Sequence, residues 1–348
     1  MYPTDDNGVR HFPTFTVEQT ENSISLTDCE NDSITTLNIN LDTGQLMDSL
    51  HQPTIPCDHF SLTDGTTITI QPDPAGSFAY QFTNYVGNDS INWQRLYRSI
   101  PFFINADNIL TSPLGGFHLY NRSPFIIQKY ASSGQLLYST RPLDLPNAYG
   151  SRIVGITETG DLLIRSGHLG GNETHFFMAK ISGVDGRLIW QTEIETYRNL
   201  AQDTRIAIEN DYPLVVVENF YGIANVDNQT KGGWSITLLD PETGQIIHQQ
   251  EKTIIGNAAL SPVIVPDRGI YCLQEQYITD QVLDNERTGY QLLRFSNEAE
   301  IIDRTSLFAG QTFSSLSLSQ TLAVQNDAIL FIGTKSDSLW MVKYNLRE

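Results

Sequence analysis

A short phrase recurs along this 348-residue chain: an apolar strand, a tight glycine turn, a second apolar strand. It stands at Leu41-Asp42-Thr43-Gly44-Gln45-Leu46, Ser132-Ser133-Gly134-Gln135-Leu136, Val184-Asp185-Gly186-Arg187-Leu188 and Asp240-Pro241-Glu242-Thr243-Gly244-Gln245-Ile246. Asn297-Glu298-Ala299-Glu300-Ile301 is a degenerate copy, and Val86-Gly87-Asn88-Asp89 a looser one. A period of roughly fifty residues marks one supersecondary unit that cannot bury its own apolar face and must stack on its neighbours. The repeated residues are structural, so function must reside in what differs between copies.

The cleanest copy predicts four strands, over 152–157, 161–165 after the Thr159-Gly160 turn, 175–181, and 188–194 after the Asp185-Gly186 turn. β-branched and aromatic residues fill these runs, and Gly, Asn and Asp punctuate them. The same template predicts second and third strands near 23–27 and 34–41, 66–71 and 78–85, 108–112 and 123–130, 213–218 and 234–239, 269–274 and 289–295, and 328–333 and 339–344. The expected fold is all-β: a seven-bladed β-propeller of four-stranded antiparallel blades, a single domain over 1–348. Its blades fall near 14–50, 57–99, 100–141, 150–196, 204–252, 260–306 and 318–348. The last unit runs out of residues after its third strand, so residues 8–12 are expected to complete it. Closing the ring this way removes the exposed sheet edges that invite aggregation.

These glycine turns resemble those of the quinoprotein-like (PQQ-like) β-propeller repeats, whose pattern is roughly Ala-x-Asp-x-x-Thr-Gly-x-x-x-Trp. Asp240 to Gly244 matches the Asp-x-x-x-Gly portion with one extra residue, and Gly186 to Trp190 matches Gly-x-x-x-Trp. One unit keeps the tryptophan at its expected spacing, so looser packing between blades is expected elsewhere. Quinone-dependent enzymes of that family are usually eight-bladed and longer, and many place adjacent cysteines beside the cofactor. This chain has seven units and no vicinal cysteines, so the resemblance implies a non-catalytic member without a cofactor.

Forty acidic residues against twenty-one basic ones give a formal net charge of -19. That field repels phosphate backbones and anionic lipid, so neither nucleic acid nor membrane is an expected partner, whereas a basic protein is. Between His11 and Trp93 there is no Lys or Arg, while eleven acids lie between Glu18 and Asp89. Solubility alone also explains a large net charge. Three widely spaced cysteines, Cys29, Cys57 and Cys272, make no disulfide framework and fit a reducing compartment. The amino terminus has neither the basic flank nor the apolar core of a signal peptide, and no apolar run reaches membrane-spanning length. A cytoplasmic protein, monomeric on its own, is expected.

Asp42-Thr43-Gly44 mimics an aspartic-protease signature, but no second copy has an equivalent aspartate, and Asp and Gly are what the repeat turn needs. Cys57-Asp58-His59, and His168 with His175, offer metal-ligand types without four convergent groups at zinc spacing, so no metal site is expected. Thr63-Asp64-Gly65-Thr66 is a fragment of a sialidase-like Asp-box turn. No nucleophile elbow, His-Glu-x-x-His motif or phosphate loop is present. A non-enzyme is expected.

The connection between the second and third strand of each unit varies most, and such loops carry function in propellers. The first unit contributes Asp28, Glu30 and Asp32 in one short loop, and the second contributes Asp73. The fifth inserts Asn219 to Gly233, with Phe220, Tyr221 and Asp227 and with Trp234 at its end. The sixth inserts Gln276 to Thr288, with Tyr277, Asp280, Asp284 and Glu286. Aromatic anchors ringed by carboxylates make a surface suited to a basic protein. The expected function is that of a cytosolic bacterial immunity or inhibitor protein neutralising a toxin such as a nuclease. The alternatives are an envelope scaffold resembling the propeller lipoprotein of outer-membrane barrel assembly, and a quinone-dependent or glycan-processing enzyme.

Overall fold

The computed structural model describes residues 16–19, 23–30, 33–40, 45–53, 59–72, 79–86, 90–97, 100, 109–122, 124–141, 148–170, 173–195, 201–209, 211–224, 230–255, 257–277, 287–307, 316–324, 328–335 and 338–346. All regular structure among them is β, in seven antiparallel sheets whose strands pair in chain order. The first sheet holds β1 (Thr16–Gln19), β2 (Ser23–Glu30), β3 (Ser33–Asn40) and β4 (Leu46–Pro53). The second holds β5 (His59–Ser61), β6 (Thr67–Pro72), β7 (Tyr80–Val86) and β8 (Ser90–Tyr97). The third holds β9 (Ile109–Thr111), β10 (Phe117–Arg122), β11 (Phe125–Tyr130) and β12 (Leu136–Thr140), and the fourth β13 (Ala148–Ile156), β14 (Leu162–Gly170), β15 (Glu173–Ile181) and β16 (Leu188–Glu195). The fifth is built of β17 (Ala201–Ala207), β18 (Leu214–Ala224), β19 (Thr230–Leu239) and β20 (Ile246–Ile255), and the sixth of β21 (Asn257–Val265), β22 (Gly269–Tyr277), β23 (Arg287–Phe295) and β24 (Ile301–Leu307). The seventh has three strands among the described residues, β25 (Leu316–Val324), β26 (Ala328–Lys335) and β27 (Ser338–Asn345). Residues 8–12, expected to complete it, lie outside the described residues.

One strand assignment differs from the sequence template. Residues 108–112 are not the second strand of the third unit: β9 is its first, and β10 is the second. The cause is the turn between them, Ser112-Pro113-Leu114-Gly115-Gly116, where both glycines have positive φ (88° and 73°). A Cβ on Gly116 would lie 2.0 Å from the Tyr130 carbonyl oxygen, so only glycine fits there.

The chain divides into two compact units. Unit 1 comprises residues 1–144 together with 158–161 and 182–187, and unit 2 comprises 145–157, 162–181 and 188–348. In unit 1 the second and third sheets share a core of Ile68, Ile70, Phe82, Phe117, Leu119 and Tyr130. Phe117 stacks on Tyr130 at 5.2 Å, and Phe82 meets Tyr130 edge-on. In unit 2 three such layers fill the spaces between successive sheets. Phe176, Met178 and Trp190 face Leu214 and Val216, Trp234 and Ile236 face Leu260 and Cys272, and Leu273 and Leu292 face Ile329 and Phe331. Each large side chain so buried contributes about 1.5–3 kcal/mol.

A second device recurs at the outer strands. In unit 1, Trp93 lies against Gly134 and donates from Nε1 to the Ser132 carbonyl at 2.9 Å, and Tyr138 lies against Gly186. In unit 2, Trp190 lies against Gly244 and donates from Nε1 to the Pro241 carbonyl at 3.1 Å. Tyr138 and Trp190 each stand four residues after the glycine of their own turn. The docking aromatic is thus present in more units than its identity as tryptophan suggests. Each glycine it covers has φ between 72° and 76°, a conformation that costs other residues about 1–2 kcal/mol.

Candidate functional site

Strand register defines the variable end of each sheet. The last paired positions of the second and third strands are Glu30↔Ser33, Pro72↔Tyr80, Arg122↔Phe125, Gly170↔Glu173, Ala224↔Thr230, Tyr277↔Arg287 and Lys335↔Ser338. The intervening connections, 31–32, 73–79, 123–124, 171–172, 225–229, 278–286 and 336–337, are long in the second, fifth and sixth units. Together they hold Asp32, Asp73, Asp227, Asp280, Asp284, Glu286 and Asp337, and no Lys or Arg. The sheet-to-sheet connections emerging at the same end add Arg98, Arg141 and Arg198 against Asp58, Asp107 and Asp144, which balance.

Several expected site residues sit elsewhere than in loops. Asp28 and Glu30 belong to β2, where Asp28 pairs with Thr35, because the antiparallel ladder continues until only residues 31 and 32 remain between the strands. Phe220 and Tyr221 belong to β18, and the predicted insertion 219–233 is a lengthened hairpin that pairs Phe220 with Gly233 and Ile223 with Lys231. Trp234 cannot serve as a docking anchor: it is fully buried, edge-on to Phe295 at 5.9 Å. Tyr277 ends β22. Asp32, Asp73, Asp227, Asp280, Asp284 and Glu286 lie outside the described residues, as do Cys57 and Asp58.

The opposite, glycine-turn end is acidic too, but several of its carboxylates are held by the turns. Asp64 accepts from the Thr66 amide at 3.0 Å and hydroxyl at 2.7 Å, which lowers its pKa from the ordinary carboxylate value. Asp240 accepts from the Glu242 and Thr243 amides at 3.0 and 2.7 Å, and its pKa is lowered mainly by the Thr243 amide. Asp185, lowered chiefly by the Ser182 hydroxyl, accepts from the Arg187 amide at 3.2 Å. These acids shape turns, which accounts for their recurrence.

Beneath the variable end of unit 2, polar side chains lock sheet to sheet. Asn219, fully buried, accepts from the Leu260 amide at 2.7 Å and donates to its carbonyl at 3.0 Å. Glu218, 1% exposed, meets the Arg165 guanidinium at 3.5 Å. Burial pushes its carboxyl up, and the Arg165 charge opposes this. Arg205 bonds the Ser261 hydroxyl. Such satisfied networks position neighbouring sheets uniquely.

Unit 1 contains a buried row, His118, Lys129 and Tyr138, aligned across β10, β11 and β12. Lys129 donates to the Gly183 carbonyl at 2.6 Å, whereas neither His118 nitrogen nor the Tyr138 hydroxyl has a hydrogen-bond partner among the described residues. Burial, aided by the Lys129 charge, holds His118 at a pKa of about 3 against an ordinary 6.5. The unfolded chain therefore takes up a proton below that ordinary value which the folded chain refuses until near the depressed one. Stability falls as pH drops through this window, by up to about 1.4 kcal/mol per pH unit, and is unaffected by this group above it. His118→Phe is expected to remove that component: between pH about 7 and about 5, wild type loses about 2 kcal/mol more than the variant in urea unfolding. Equal losses would contradict the assignment.

In the fourth sheet the register places His168 opposite His175 and His175 opposite Glu195, one row across β14, β15 and β16. Among the residues with described side chains, no group of three or more His, Cys, Asp or Glu is placed to hold a metal ion. Cys272 is a free thiol, fully buried, with its pKa raised by desolvation. No helix among the described residues is long and apolar enough to cross a membrane.

No family model and no curated protein matches the chain. Among solved structures, a streptogramin B lyase aligns at 15% identity and TM-score 0.49, covering 92% of this chain and 89% of that one. A virginiamycin B lyase from Staphylococcus aureus, solved with quinupristin, aligns at 15% identity and TM-score 0.46 over 92% and 96% of the two chains. A Nup133 β-propeller domain from Vanderwaltozyma polyspora aligns at 11% identity and TM-score 0.47 over 94% and 100%. At these values the likeness assigns neither an activity nor a partner to this chain.

Proposed function

We propose that the chain is a non-enzymatic, acidic β-propeller that binds a basic protein, as a cytosolic bacterial immunity or inhibitor protein would neutralise a toxin such as a nuclease. In this reading the seven sheets are blades of one PQQ-like domain, closed by residues 8–12. The observation that carries it is the charge of the seven second-to-third-strand connections: seven acids and no base. Complementary charge steers encounter and fixes register, while like-charged partners are rejected. Asp73, Asp227, Asp280, Asp284 and Glu286 occupy the three long connections and supply the contact surface, whereas the acids of the glycine turns serve the fold.

The test is capture from native lysate by wild type and by a triple variant, Asp280→Asn, Asp284→Asn and Glu286→Gln, with Glu298→Gln/Glu300→Gln at the opposite end as control. Wild type and control are expected to retain the same basic protein. The triple variant is expected to retain it at least about tenfold more weakly, as loss of several complementary interfacial charges implies. Undiminished capture by the triple variant would remove this end from the interface, and capture of acidic proteins alone would overturn the reading.

A further inference from the structure

We infer that the outer groove between the fourth and fifth sheets docks an extended peptide segment bearing lysine or arginine, which pairs with β16 as a fifth strand. β16 is the outermost strand of the fourth sheet, and among the described residues no strand pairs with its far side. The ladder groups on that side are a template for strand addition. Edges are commonly guarded by lysine or proline, whereas β16 has no Lys, Arg or Pro and its charges are Glu193 and Glu195. Beside this edge lies a groove of about 600 Å³, lined by residues 191–193 of β16 and by 243–246, where the glycine turn of the fifth sheet leads into β20. That volume falls in the range of sites that take specific ligands, about 300–1,000 Å³.

Strand register gives the groove its sign. On β20, Ile246 pairs with Leu239, Gln249 with Thr237 and Glu251 with Ser235, alternate positions of one face. Leu239 packs in the core that holds Trp190 of β16, so this face of β20 is turned toward the fourth sheet, and Lys252 is on the other face. Glu193 and Glu251 are both exposed. Partial burial raises the Glu251 pKa, a penalty that an incoming ammonium or guanidinium offsets. Ile246, 42% exposed, adds an apolar contact. Backbone pairing with β16 supplies affinity, and a basic side chain directed at Glu251 supplies selectivity. One unit earlier the corresponding turn has Arg187 after Gly186, where Gln245 follows Gly244 here, so a base already occupies that place. A second copy of the chain is a poor occupant, because a net charge of -19 repels its like. The inference does not rest on the proposed protein partner, whose contacts lie at the variable end.

The test uses the full chain and a fluorescent six-residue peptide of alternating lysine and valine, read by polarisation. Wild type is expected to bind it at least about tenfold more tightly than a peptide with glutamate for lysine, or one with two valines replaced by proline, which keeps the charge and removes strand pairing. Gln245→Lys, which places a base where the preceding unit has one, is expected to weaken binding at least about fivefold, and Glu251→Gln about two- to fivefold. The Asp280→Asn/Asp284→Asn/Glu286→Gln variant is expected to bind the peptide as wild type does, which separates this site from the variable end. No binding by wild type, equal binding of the proline peptide, or loss of binding in the triple variant would overturn the inference. So would unchanged affinity in both Gln245→Lys and Glu251→Gln, or self-association of the peptide-free chain that Gln245→Lys abolishes, which would assign the edge to a second copy.

Discussion

Gly183→Ala is expected to destabilise the protein by about 3 kcal/mol or more, at the upper end of what overpacking costs. A Cβ there would sit 1.8 Å from the Gly160 carbonyl oxygen and 2.5 Å from its carbon. Both are backbone atoms, so no rotamer change relieves the clash. The segment cannot slide away either. The Gly183 amide donates to Asp161 at 3.1 Å, and its carbonyl receives the Lys129 ammonium at 2.6 Å. Lys129 is only 4% exposed, so moving this acceptor would cost a buried ammonium its shortest hydrogen bond and leave it the Ser112 hydroxyl at 3.4 Å. Gly65→Ala, at φ 79° with nothing within 4 Å of the new Cβ, is expected to cost only about 1–2 kcal/mol. Urea unfolding midpoints of the two variants test the ranking, and equal midpoints would contradict it.

Trp190→Ala is expected to cost about 3–5 kcal/mol, the range for deleting a buried aromatic. Trp190 is 7% exposed, packs in the core that joins the fourth and fifth sheets, and covers Gly244. Its Nε1 hydrogen bond to the Pro241 carbonyl separates two contributions. Trp190→Phe retains most of the apolar contact and forfeits the hydrogen bond, so about 1–2 kcal/mol is expected from that variant. Thermal unfolding of the pair reads both. A loss under 1 kcal/mol in Trp190→Ala would mean that the aromatic does not hold the two sheets together.

The repeat was legible because its turns demand particular residues: Gly134, Gly186 and Gly244 all have positive φ and all lie beneath an aromatic ring. The third unit misled because Ser112 to Gly116 makes its turn with Pro and two glycines rather than with Asp and Gly, so β9 passed for β10. Ala299, at φ 58°, keeps the turn without glycine, which explains why that copy looked degenerate. Loop boundaries were the least legible. Alternating side chains extend pairing beyond the punctuating residues, and Phe220, Tyr221, Asp28 and Glu30 proved to be strand positions. Trp234 was misplaced because an aromatic at a loop margin looks the same whether it faces solvent or, as here, Phe295.

The central claim, that an acidic end of the sheets captures a basic protein, is tested most directly by the association rate of the captured partner as ionic strength is raised. Steered association should slow by about tenfold or more between low and near-physiological salt while dissociation changes little, and the Asp280→Asn/Asp284→Asn/Glu286→Gln variant should flatten that dependence. An association rate indifferent to salt, or a slope that the triple substitution leaves intact, would contradict it.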